Sequence, residues 1–104
     1  MFSLIELPRV KYVYLYTKPI SMQCGENKLK ELCLSEMKMD PKKDYLFLFF
    51  NRAMDQLRLF FIDYTGTQQI TKVLTKGNFM LPVPKQGENV IKLEKKKLMA
   101  LFRS

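Results

Sequence analysis

Leu46-Phe47-Leu48-Phe49-Phe50-Asn51-Arg52-Ala53-Met54-Asp55-Gln56-Leu57-Arg58-Leu59-Phe60-Phe61-Ile62-Asp63 is the stretch that decides how this chain folds. Two apolar runs flank a short polar segment. The first, Tyr45 to Phe50, is continuously apolar, as expected of a strand covered on both faces. Asn51 to Asp55 carries turn-forming residues, and Gln56 to Asp63 is the return strand. Along that strand Leu57, Leu59 and Phe61 fall on one side, and Arg58, Phe60 and Ile62 on the other. Both sides carry aromatics. One is expected beneath a helix, and the other beneath a terminal helix or a partner; left open, it would be an apolar patch suited to self-association.

Upstream, Val10 to Tyr16 is β-branched and aromatic and reads as a strand that Pro19 ends. Met22 to Lys38 reads as a helix, with Met22, Gly25, Leu29, Leu32, Cys33 and Met37 on one face. Gly25 in that stripe suggests the close approach of another backbone. Glu36 sits awkwardly beside the stripe, and Asp40-Pro41 stops the helix. Downstream, Tyr64 to Thr67 turns the chain at Gly66. Ile70 to Thr75 reads as a strand, although Ile70, Val73 and Leu74 also fit helical spacing. Phe79 to Leu81 suggests a short edge strand before Pro82 and Pro84. Leu93 to Arg103 reads as a terminal helix docking Leu98, Leu101 and Phe102 and leaving Lys95, Lys96 and Lys97 in water.

The expected fold is therefore α+β: a small antiparallel β-meander with one long helix on one face and a short C-terminal helix. The 104 residues suit one domain, with a core over residues 10–82 and the basic helix at 93–103.

Eighteen basic against ten acidic residues give a net charge of +8, which favours a polyanionic partner. The tail is the most cationic part: residues 85–104 carry six basic and two acidic residues. There is no histidine, which removes the commonest proton shuttle and metal ligand. Asp55 and Asp63 lie at opposite ends of one strand, roughly 23 Å apart, too far to share a pair of metal ions. No glycine-rich phosphate loop and no nucleophile–base pair is visible, so no catalytic residue, metal or cofactor is expected. Cys24 and Cys33 would fall on opposite sides of one helix and stay unbonded, which suits a reducing cytoplasm. Met1 to Pro8 does not read as a signal peptide, and no run is long enough to span a membrane.

Three blocks in fixed order resemble the TnpB accessory proteins of insertion-sequence-66 mobile elements. The first is Thr17, Pro19, Met22, Gly25 and Leu29. The second is Asp40-Pro41, Leu46 to Phe49, Asn51-Arg52, Asp55, Leu57-Arg58-Leu59 and Asp63. The third is Gly66, Lys72, Leu74, Lys76, Gly77, Phe79 and Pro82. The chain departs from the pattern at Ser21, where the family has Asp, at Gln23-Cys24, where it has Arg-Lys, and at Leu81, where it has Trp. The resemblance implies a bacterial protein encoded beside a large transposase and accessory to transposition, with element-end DNA and the transposase as partners. It supplies no mechanism.

The candidate phosphate contacts are Arg52 and Arg58 beside the hairpin turn, Lys72 and Lys76 four residues apart, and Lys95-Lys96-Lys97. Each has a plainer reading: the arginines pair with Asp55, Lys72 and Lys76 guard a sheet edge, and the lysine run is a wet helix face. Phe47, Phe49, Phe50, Phe60 and Phe61 are either core or a base-stacking platform. The leading function is a non-catalytic, DNA-binding transposition accessory. The alternative is an interaction module that docks the transposase, or a second copy, through an aromatic sheet face. A decayed element copy is a third reading.

Overall fold

The computed structural model describes residues 12–103. The elements run β1 (Tyr12–Tyr16), α1 (Glu26–Ser35), β2 (Leu46–Phe50), β3 (Gln56–Asp63), β4 (Gly66–Val73), β5 (Val90–Glu94) and α2 (Lys95–Phe102). The α+β class holds. The sheet, however, is mixed and five-stranded, in the order β4-β3-β2-β1-β5. β2, β3 and β4 pair antiparallel, while β1 joins β2 in parallel, with Val13 opposite Leu46. Parallel neighbours need a long crossover, and residues 17–45, with α1 inside them, supply it.

Burial explains why this arrangement forms. All five residues of β2 are buried, because it lies mid-sheet beneath both layers. Val13, Leu15, Leu46, Leu48, Leu57, Leu59 and Phe61 form one face with Phe79 and with Leu98 and Leu101 of α2. Tyr16, Phe47, Phe49 and Phe60 form the other with Leu29, Leu32, Cys33 and Met37 of the α1 region. The period-two alternation read from β3 is this division. Phe47, Phe49 and Phe60 are fully buried and Phe50 and Phe61 nearly so, which overturns both the stacking platform and the open aromatic sheet face.

Several boundaries differ from the sequence expectation. α1 has 10 residues and is not a long helix. It ends at Ser35 because the Glu36 and Met37 amides both bond back to the Leu32 carbonyl and Lys38 takes a left-handed φ of 59°. Gly25 is the exposed N-cap of α1 and approaches no other backbone. Cys24 therefore lies outside the helix. It packs, half-buried, against the same apolar layer as Cys33, so the expected opposition across a helix does not occur; both thiols are free. Glu36 is explained: it accepts from Tyr16 Oη and Lys18 Nζ, each at 3.3 Å.

β4 begins at Gly66, four residues before the expected Ile70, because the β3–β4 hairpin closes on two residues, Tyr64 and Thr65, with Asp63 opposite Gly66. Phe79 to Leu81 forms no strand. The expected terminal helix is strand only over its first two residues: Val90–Glu94 pairs antiparallel with β1, placing Ile91 and Leu93 on the α2 face, and the helix runs over Lys95–Phe102. For the first strand, Val10 and Lys11 lie outside the described residues. No helix among the described residues is long and apolar enough to cross a membrane.

Candidate nucleic-acid interface

The turn between β2 and β3 is built by Asn51. Its Oδ1 accepts from the Asp55 and Gln56 amides at 3.1 and 3.0 Å, and its Nδ2 donates to Asp55 Oδ1 at 2.6 Å. These bonds hold Met54 in a left-handed conformation, φ 57°, and turn Arg52 into solvent. Asp55 is bound to Asn51 and not to an arginine. Arg52 makes no ion pair or hydrogen bond among the described residues.

The 74–80 segment is stitched to this turn. The Leu74 amide donates to the Asp55 carbonyl at 2.8 Å, the Phe79 amide to the Met54 carbonyl at 2.6 Å, and Asn78 Nδ2 to the Ala53 carbonyl at 2.5 Å. Gly77 takes the positive φ of 81° that the loop requires, and buried Phe79 anchors it to the core. Lys76 thus stands exposed at the same end of the sheet as Arg52. A cleft of about 240 Å³ between this segment and α2 is lined by Asn78, Phe79 and Lys97, so Lys97 borders the same region. Neither Lys76 nor Lys97 is paired among the described residues.

The other candidates each have a contact within the fold. Arg58 bridges layers: Nε donates to Thr71 Oγ1 at 3.0 Å and Nη1 to the Cys24 carbonyl at 3.3 Å. It ties β4 and the start of α1 to β3, not the turn to Asp55 as its plainer reading held. Lys72 reaches across to α2, donating to the Phe102 carbonyl at 3.1 Å, where a cation satisfies a helix C-terminus. Lys72 and Lys76 therefore do not act as a pair, since β4 ends at Val73 between them. Lys96 lies 3.7 Å from Glu94 in an exposed, loose contact, and Lys95 is half-buried. Arg103, which sequence reasoning passed over, follows the carbonyl that Lys72 holds and is exposed. Its signal was the docking of Phe102, which fixes where the next residue points.

On and beside α1 the charge is answered, whereas Lys38, Lys42, Lys43 and Lys85 are exposed with no ion pair among the described residues. Glu26 holds Lys30 at 2.8 Å, Glu31 lies 3.8 Å from Lys28, and Glu36 lies 3.3 Å from Lys18. The Lys30 and Thr67 hydrogen bonds keep the Glu26 carboxyl below its ordinary range. Burial pushes the Cys33 thiol up to about 12, so it is neither a nucleophile nor a soft ligand at neutral pH. Among the described residues no group of three or more acidic or cysteine side chains is placed to hold a metal ion.

The family model for IS66 Orf2-like proteins matches residues 11–104. The chain belongs to the IS66 Orf2-like family. It is also 32% identical over 75 residues to the uncharacterized protein y4jC of Sinorhizobium fredii (strain NBRC 101917 / NGR234). That match takes in 72% of this chain and 64% of the relative, so it spans just under two thirds of the relative's length. No solved structure matches. The family pattern becomes physically readable in this fold. Asn51 and Asp55 build the turn, Lys72 caps α2, and Gly77 and Phe79 seat the loop. Of the basic motif residues, Arg52 and Lys76 are the two left exposed, while Arg58 and Lys72 are half-buried.

Proposed function

We propose that this chain is a non-catalytic accessory of insertion-sequence transposition that grips DNA phosphates through Arg52, Lys76, Lys97 and Arg103. The supporting observation is that the turn and the 74–80 segment are bonded together and present exposed cations with no acidic partner among the described residues. The paired cations of α1 make a poorer phosphate surface, because each carboxylate would have to be displaced or repelled. Guanidinium and ammonium groups on an ordered loop position a duplex without reading bases, so the contact is strongly salt-dependent.

The test is binding of the purified chain to an element-end duplex and to a scrambled duplex over a salt series. Affinity falling steeply with salt, and to a similar degree on both duplexes, is the expected result. Absence of binding at low salt contradicts the proposal.

A further inference from the structure

A second surface is apolar. Met80, Leu81 and Pro82, Leu93 of β5 and Ala100 of α2 line an open groove of about 790 Å³. Met80 is 85% exposed and Val83, just beyond, 90%, so apolar side chains face water here. The groove runs beside β5, the last strand in the sheet order, whose outer backbone groups have no strand partner among the described residues.

Three further features set what fits. The lining includes Lys92, Lys96 and Lys97 against one carboxylate, Glu94, which lies 3.7 Å from Lys96. α2 opens with three consecutive lysines, and Glu94 makes no side-chain cap, so the positive end of the helix adds to the ammonium charges. Lys92, which on an edge strand ordinarily repels other strands, lies over the Tyr12 ring at 4.4 Å, on the neighbouring strand.

We infer that this groove docks an extended protein segment of alternating apolar and acidic residues, which adds to the β5 edge. Its apolar side chains cover Met80, Leu81, Leu93 and Ala100, and its carboxylates meet Lys92, Lys96 and Lys97. This site meets the DNA surface at Lys97, which borders both.

The test uses the nitrogen-15-labelled full chain and two short blocked peptides, one alternating leucine with glutamate and one alternating leucine with lysine. The leucine–glutamate peptide shifts the amides of Met80, Leu93 and neighbouring groove residues and binds far more tightly than its lysine counterpart. Met80→Glu, at an exposed position that leaves folding intact, weakens that binding roughly tenfold. A Lys92→Glu/Lys96→Glu double variant does the same while retaining the salt slope on DNA, which separates this inference from the proposed function. Equal binding of both peptides, shifts confined to another surface, or no binding overturns it. So do concentration-dependent shifts at the groove without peptide, which would mark a second copy as the occupant, or contacts there from residues 1–11 of the same chain.

Discussion

The two ends of β3 are closed by the same device and carry different chemistry. At one end the Asn51 amide organises the turn, and Arg52 and Lys76 stand outside it. At the other, Asp63 Oδ1 accepts from the Thr65 amide, the Thr65 hydroxyl and the Gly66 amide at 2.6–3.0 Å. The Thr65 hydroxyl is the main cause that lowers the Asp63 pKa. Nearby, Thr67 Oγ1 donates to Glu26 at 2.9 Å, and Lys42 and Lys43 share their loop with Asp40 and Asp44. Cations at the first end have no acidic partner among the described residues, while those at the second are interleaved with carboxylates. A net charge of +8 is thus a poor guide alone: its placement says where a polyanion would sit.

Removing Asn51 strikes the comparison hardest. Asn51→Ala deletes three hydrogen bonds and should cost about 2–3 kcal/mol in denaturant unfolding. It should also weaken DNA binding although no charge is lost, because Arg52 and the 74–80 segment lose their seat. Full DNA affinity in a folded Asn51→Ala chain would separate the turn from the interface. Arg58→Ala should cost roughly 1.5–2 kcal/mol through the lost bonds to Thr71 and Cys24, yet leave the salt dependence of DNA binding unchanged. A flatter slope would return Arg58 to the phosphate contacts. Lys72→Ala should cost about 0.5–1 kcal/mol at the end of α2, again with the slope intact.

The smallest effect belongs to the other turn. Asp63 has a depressed pKa in the folded state, so its contribution is present above its ordinary value of 3.8 and is lost as pH falls through the lowered folded value. Asp63→Asn should flatten the acid limb of the stability profile without altering DNA binding. An acid limb unchanged in that variant would show that the Asp63 bonds carry no weight.

The β2–β3 hairpin was legible because apolar runs, a polar turn and period-two alternation all agree. The buried stripe Leu29, Leu32, Cys33 and Met37 was legible from its helical spacing. β5 was not, because Lys92 and the lysine run after it mask the alternation of Ile91 and Leu93. The parallel pairing of β1 with β2 was also hidden, since it depends on α1 crossing between strands that are distant in sequence. At the site, Arg52 was legible as a candidate from its place beside the hairpin turn, and Lys76 from its spacing to Lys72. The fates of Arg58 and Lys72 were not, because their partners, the carbonyls of Cys24 and Phe102, lie 34 and 30 residues away. Proximity in sequence favoured Asp55 as an arginine partner, but the shorter Asn51 side chain claims it.

The most direct test of the central claim compares the full chain with an Arg52→Ala/Lys76→Ala/Lys97→Ala variant in DNA binding across a salt series. Three lost phosphate contacts should reduce the slope of log affinity against log salt by about 2.7, near 0.9 for each. A Lys28→Ala/Lys30→Ala control on the paired face of α1 should leave it unchanged. A triple variant with the parent slope, or a control that loses as much, would contradict the placement of the DNA surface at the turn end of β3.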